Sequence, residues 1–209
     1  MNIPQDNIFV KKYQDRDLKY ILSCIYDCYL EILQSNIIIN NDENDIRNLF
    51  ISDEYLDNHY IKEKLGIGQY KFDKEIQTID GRVDIRVLDM IKTMKGEYKP
   101  YYLIECKRID GLNSHYQTSL NNKYVNDGIN RFITEKYPTH LEANGMLGFV
   151  VNKIDIKENT RRITILKDYQ FIDNFDLSYI SEHTTITSNK KIILYHLMLD
   201  FSSKINSSL

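Results

Sequence analysis

The sequence predicts an α/β domain whose central mixed sheet is flanked by helices, and three observations carry that reading. Apolar residues recur at three- and four-residue steps from Asp15 to Leu33, the period of a helix. From Tyr70 to Ile109 they alternate with polar residues around two turn signals, as in paired strands. A second helical pattern, Asn121 to Tyr137, leads into the short apolar run Met146 to Val151, which reads as one more strand.

In the first element Leu18, Ile21, Leu22, Ile25, Tyr29, Ile32 and Leu33 form one stripe, predicting an amphipathic helix over residues 15–33. The polar break Asn40 to Asp42 supplies N-caps for a second helix that buries Ile46, Leu49, Phe50 and Leu56 and carries Glu43 in its first turn. Gly66 and Gly68 close the helical region. Tyr70 to Ile79 then meets Asp80-Gly81, a two-residue hairpin signal, and Arg82 to Met90 returns with Val83, Ile85 and Val87 alternating with Asp84 and Arg86. After Lys95-Gly96, the strand Tyr101 to Ile109 completes a three-stranded antiparallel meander. Tyr124, Val125, Ile129, Phe132 and Ile133 set the buried side of the next helix, with Pro138 as its stop. Met146 to Val151 is apolar enough for a strand covered on both faces. Beyond Asn152 the pattern weakens to extended pieces at Arg162 to Leu166 and Lys191 to Phe201 with a short helix between them, a C-terminal extension over residues 152–209 to a core of residues 40–151. No repeat or linker divides the chain, so residues 1–209 read as one domain.

A chain of 209 residues can bury a core without staples. With 42% hydrophobic and 27% charged residues it has a globular composition. No apolar run approaches the roughly 20 residues that cross a bilayer, and the N-terminus lacks a basic segment followed by an apolar stretch, so no membrane partner and a cytoplasmic location are expected. Cys24, Cys28 and Cys106 are an odd number, expected to be reduced thiols. A net charge of −3 argues against a protein that coats polyanions through a summed positive field, although it leaves room for a local basic groove. The five histidines show no metal-ligand spacing, which argues against zinc, and Gly66-x-Gly68 lacks the rest of a dinucleotide fingerprint.

The chemistry concentrates on the second and third strands. A turn centred between Lys95 and Gly96 would set Asp84 opposite Lys107, with Glu105 as its diagonal neighbour on the same face. Neighbouring carboxylates repel, and a hard divalent cation with oxygen ligands relieves that repulsion. Asp84 and Glu105 are therefore expected to bind metal, and Lys107 to steady an attacking water or the charge developing on a phosphate. The bland reading of the same residues is a solvated strand face with an ordinary ion pair.

Gly81-Arg82-Val83-Asp84-Ile85 followed by Leu103-Ile104-Glu105-Cys106-Lys107 resembles the PD-(D/E)XK, or restriction-endonuclease-like, nuclease superfamily: an Asp, then Glu-x-Lys on the next strand. The order helix, three strands, helix, strand is also similar to that superfamily's core. The resemblance implies a phosphodiester hydrolase, most simply a deoxyribonuclease, in which Asp84, Glu105 and Lys107 are catalytic. It implies Mg2+ or Mn2+ held by Asp84, Glu105 and the Cys106 backbone carbonyl, with Glu43 as the acid of the first core helix. Val83 stands where the name-giving proline would be. The helix after the third strand is expected to offer Lys123, Tyr124 and Arg131 to a nucleic-acid partner, with Arg82, Arg86 and Arg108 as further phosphate contacts. A prokaryotic or mobile-element setting such as antiviral defence, a partner subunit and a homodimer are further expectations of this kind. Two other readings stay open, a nuclease-fold module that binds nucleic acid or protein without cutting, and hydrolysis of a small nucleotide.

Overall fold

Asp42 starts the first helix of the core: its carboxylate accepts from the N–H groups of Asn44 and Asp45, the orphan donors of α2 (Glu43–Phe50). The computed structural model describes residues 8–78, 81–111, 119–137, 141–163, 169–171 and 178–206. Before α2 runs the long helix α1 (Ile8–Gln34), and after it the short α3 (His59–Lys64), capped by Asn58. The predicted hairpin follows as β1 (Tyr70–Thr78) and β2 (Gly81–Asp89), and β3 (Tyr101–Ile109) completes the antiparallel meander. Residue 79 at the end of the predicted first strand, residue 80 of the predicted turn, and Pro138 lie outside the described residues.

The connection from β2 to β3 is not a tight turn. Asp89 caps a helical turn, α4 (Met90–Met94), and β2 and β3 pair from Ile85 opposite Ile104 to Leu88 opposite Tyr101. That corrects the expected register by two residues. A two-residue shift preserves the faces, so Asp84, Glu105 and Lys107 stay neighbours although Asp84 no longer stands opposite Lys107.

Leu120 to Ile133 is helical but broken in type: α5 (Leu120–Tyr124), a π-helical turn at Val125–Ile129, and α6 (Asn130–Ile133). The turn puts an extra residue into the helix, a device frequent at functional sites. The chain then enters β4 (Ala143–Val150), buried along its whole length and parallel to β3. This crossover accounts for the apolar run in the sequence.

The C-terminal region departs from its expected role as an extension. After α7 (Ile156–Arg162) come β5 (Tyr169–Phe171), β6 (Ser178–Thr184) and β7 (Lys191–Asp200), so strands stand where a short helix was expected; most of the predicted piece 162–166 lies outside the described residues. β7 inserts parallel to β4, giving one seven-stranded mixed sheet in the order β1-β2-β3-β4-β7-β6-β5. Its burial pattern explains why: Ile192, Leu194, Tyr195, Leu197, Met198 and Leu199 are all buried, the composition of a central strand.

Two apolar clusters cover the faces of the sheet. On one side Leu18, Ile21, Ile25 and Ile32 of α1, with Ile46 and Phe50 of α2, pack on Ile85, Ile104, Leu147 and Leu197. On the other, Tyr124, Ile129 and Phe132 pack on Val83, Leu103, Met146 and Met198. The cysteines are free and buried. Among the described residues no helix is long and apolar enough to cross a membrane.

Candidate functional site

β1 and β2 change face where the chemistry begins. Phe72, Ile85 and Val87 point into the core under α1, whereas Ile76 and Val83 belong to the opposite cluster. Between them, Glu75 takes a left-handed backbone at φ 55°, an unfavourable state for a non-glycine residue. The β2–β3 ladder ends at Ile85, and from there Asp84 Oδ2 accepts from the Cys106 N–H at 2.9 Å. A carboxylate thus replaces a ladder bond where the two strands part.

Into that gap β3 sends Glu105 and Lys107, two residues apart and therefore on one face. Glu105 is completely buried and Lys107 is 7% exposed. The Lys107 ammonium lies 2.9 Å from Glu105 Oε1, 2.9 Å from Glu43 Oε1, 3.5 Å from Asp84 Oδ2 and 2.6 Å from the Cys106 carbonyl oxygen. All four groups expected to ligate a metal thus converge on one point, with the lysine amine at its centre. Glu43 is fixed by its other oxygen, which accepts from the Arg108 N–H at 3.2 Å. Gly128 of the π-helical turn packs beside this group: a Cβ there would lie 2.7 Å from Met146 Cε, the far end of a flexible side chain, and 3.4 Å from Lys107 Cγ.

Two further cations balance the acids. Arg47, 1% exposed, donates through Nη1 to Asp84 Oδ1 and through Nη2 to Glu75 Oε1, both at 2.9 Å. Arg131 donates from Nη1 to Glu105 Oε1 at 2.9 Å and to the Tyr137 hydroxyl at 2.6 Å. That hydroxyl lies 2.8 Å from both Glu105 Oε2 and the Arg82 carbonyl oxygen. Burial, reinforced by Asp84, pushes the Glu105 carboxyl up to about 7. Burial alone would lower the Lys107 ammonium, but Glu105, Asp84 and Glu43 outweigh it and hold it above its ordinary value.

The structure brings together Asp84, Glu105, Lys107, Glu43 and the Cys106 carbonyl, and adds Arg131 as a partner of Glu105. It places Tyr124 elsewhere. That side chain is fully buried, with its hydroxyl 2.6 Å from Nδ1 of the buried His196, whose Nε2 lies 2.7 Å from Ser181 Oγ, so the expected substrate contact is corrected to a core position. Lys123 is exposed on α5 and, among the described residues, pairs with none of these acids. Arg82 pairs with Glu75, Arg86 with Asp73, and Arg108 reaches Asn41.

Arg47 and Tyr137 were not foreseen from the sequence. A signal existed for Arg47: it follows Glu43 by one helical turn, so the face that presents the acid presents the arginine also. For Tyr137 there was none, because its contact with Glu105 spans 32 residues and depends on the course of the chain after α6.

The donor set has the chemistry a hard divalent cation requires, carboxylate and carbonyl oxygens directed at one point. Among the described residues, however, no group of three or more His, Cys, Asp or Glu stands ready to hold a metal ion. Lys107 lies amid the same oxygens, so an ion entering there would displace its ammonium. No protein-family model matches the chain, and no curated protein or solved structure matches it.

Proposed function

We propose that this chain is a divalent-metal-dependent nuclease of the PD-(D/E)XK kind, hydrolysing phosphodiester bonds in DNA, with Asp84, Glu105 and Lys107 at its centre. The observation that carries the reading is the convergence of Glu43, Asp84, Glu105 and the Cys106 carbonyl on Lys107 at the point where β2 and β3 part. The succession of α2, the β1-β2-β3 meander, the α5–α6 crossover and a parallel β4 supports it, since that is the order the resemblance implies.

Mg2+ or Mn2+ bound by these oxygens would polarise the scissile phosphate and lower the pKa of a bound water. Glu105 and Asp84 supply the anionic oxygens, and the raised value of Glu105 marks a carboxylate that gains from positive charge beyond that of Lys107 and Arg131. Lys107, freed from its carboxylates, has three donors with which to orient the attacking water and to meet the charge growing on the phosphate. Arg131, about one third exposed by its side chain, pairs with buried Glu105 and would offer its remaining donors to a phosphate oxygen.

One observation favours a second reading. Arg47, Lys107 and Arg131 already pair with the acids, so the cluster is balanced without a metal, as in a nuclease-fold module that binds nucleic acid or protein without cutting it. Incubating plasmid and linear DNA with Mg2+, Mn2+ or EDTA separates the two. The nuclease reading expects metal-dependent cleavage that falls by about 100-fold or more in Glu105→Ala and in Lys107→Ala, about 3 kcal/mol of transition-state stabilisation. Equal activity in wild type and both variants, or no cleavage by any of them, would retire it.

A further inference from the structure

A cleft of about 500 Å3 opens against the acid cluster and is not part of it. Its floor is apolar, from Ile76, Val83, Tyr101 and Leu103, and its rim is polar and basic, with Gln77, Lys99 and Lys136. Three chain neighbours tie it to the site. Val83 precedes Asp84, Leu103 lies two residues before Glu105 on the same strand, and Lys136 precedes Tyr137, whose hydroxyl touches Glu105. Whatever fills the cleft is therefore adjacent to a group held at Glu105 and Lys107.

We propose that this cleft receives one unpaired nucleotide of the strand being cut, so that the chain acts on single-stranded or locally opened nucleic acid. The proposal rests on the nuclease reading and adds the form of substrate to it. The volume lies within the roughly 300–1,000 Å3 typical of small-ligand clefts, enough for a nucleotide and far too little for a duplex. A base inside a duplex has both faces stacked, so only an unpaired one can lay a face on an apolar floor. Tyr101 offers most of that floor, since Leu103 is only 2% exposed, and the Arg86 guanidinium stands 5.8 Å from the Tyr101 ring centre. Arg86 is itself held by Asp73 at 2.7 Å. The other charges at the rim divide clearly. Glu135 accepts from the N–H groups of Thr187 and Ser188, which ties down its carboxylate, while Lys99 and Lys136 are exposed and complement a phosphate backbone. Gln77 carries both a donor and an acceptor for a base edge.

The test is a fluorescence-anisotropy titration in EDTA with a short fluorescein-labelled oligo-dT, its oligo-rU counterpart, and a duplex of equal length. The expected result is tighter binding of a single strand than of the duplex, weakened about 10-fold or more by Tyr101→Ala and by the double variant Lys99→Glu, Lys136→Glu. The double variant should also have a shallower salt dependence, by about 0.7 for each phosphate it no longer neutralises. Both lysines are on the surface, and an unchanged melting curve for that variant keeps the result separate from unfolding. Duplex bound as well as single strand, or variants that bind like wild type, would overturn the proposal. Because the titration contains no metal, it is independent of cleavage. Cleavage with unchanged variant binding would sink the cleft and leave the nuclease reading, whereas cleft-dependent binding without cleavage would sink the nuclease reading and keep a single-strand site.

Discussion

Replacing Arg47 by Met keeps the apolar stem and removes the guanidinium from a position that is 1% exposed. Its two partners differ in what they lose. Glu75 is about one third exposed and can turn to water or to Arg82 at 3.2 Å, so little of the cost falls there. Asp84, with a side chain 9% exposed, is left as a buried carboxylate without its guanidinium. Removing one member of a buried pair costs about 3–5 kcal/mol. Asp84 retains the Cys106 N–H and the ammonium of Lys107 at 3.5 Å, so the low end, about 3 kcal/mol, is expected. Urea unfolding followed by circular dichroism measures it, provided the slope is unchanged. Repeating the substitution in an Asp84→Asn background isolates the pair, and Arg47→Met should cost less there by about 1–3 kcal/mol. A loss below about 1 kcal/mol, or the same loss in both backgrounds, would refute the reasoning.

Glu105 makes stability depend on pH in a definite direction. Its carboxyl titrates near 7 in the folded chain against an ordinary 4.5, so between those values the folded state keeps a proton that the unfolded chain has released. The contribution is complete below 4.5 and declines as pH rises toward 7, by about 3 kcal/mol over the window. Melting curves should therefore flatten across that range in Glu105→Gln, and an identical slope in wild type and variant would contradict the assignment. Tyr137→Phe removes a hydroxyl that meets both Glu105 and Arg131, and a loss of about 1–2 kcal/mol is expected from the buried oxygen left short of a donor. A change within about 0.5 kcal/mol in urea unfolding would show that the hydroxyl is idle.

What could be read in the sequence follows from how local each signal is. The α1 stripe, the Asp42 cap, the alternation of β2 and the apolar β4 are written in adjacent residues, and each element forms there, although α1 already begins at Ile8 and β4 at Ala143. The grouping of Asp84, Glu105 and Lys107 survived an error in register because strand faces repeat every second residue, and the error was two. The source of that error, α4, is a five-residue turn dependent on the Asp89 cap, too short to give a periodic pattern. β7 was legible as an extended piece, but its place beside β4 was not, since no local feature fixes which strand a parallel neighbour joins. Tyr124 illustrates a different limit. Helical spacing puts it on the buried side of α5, and only the partnership with His196 on β7 decides that its hydroxyl is turned inward too.

Calorimetric titration with Mn2+ at pH 8, above the range where Glu105 holds its proton, asks whether the four oxygen donors around Lys107 take up a divalent cation. Saturable binding is expected, weakened about 10-fold or more in Glu105→Gln and in Asp84→Asn, and as pH falls below 7 it should diminish and be accompanied by proton release from Glu105. No binding by the wild type, or equal binding by both variants, would contradict it.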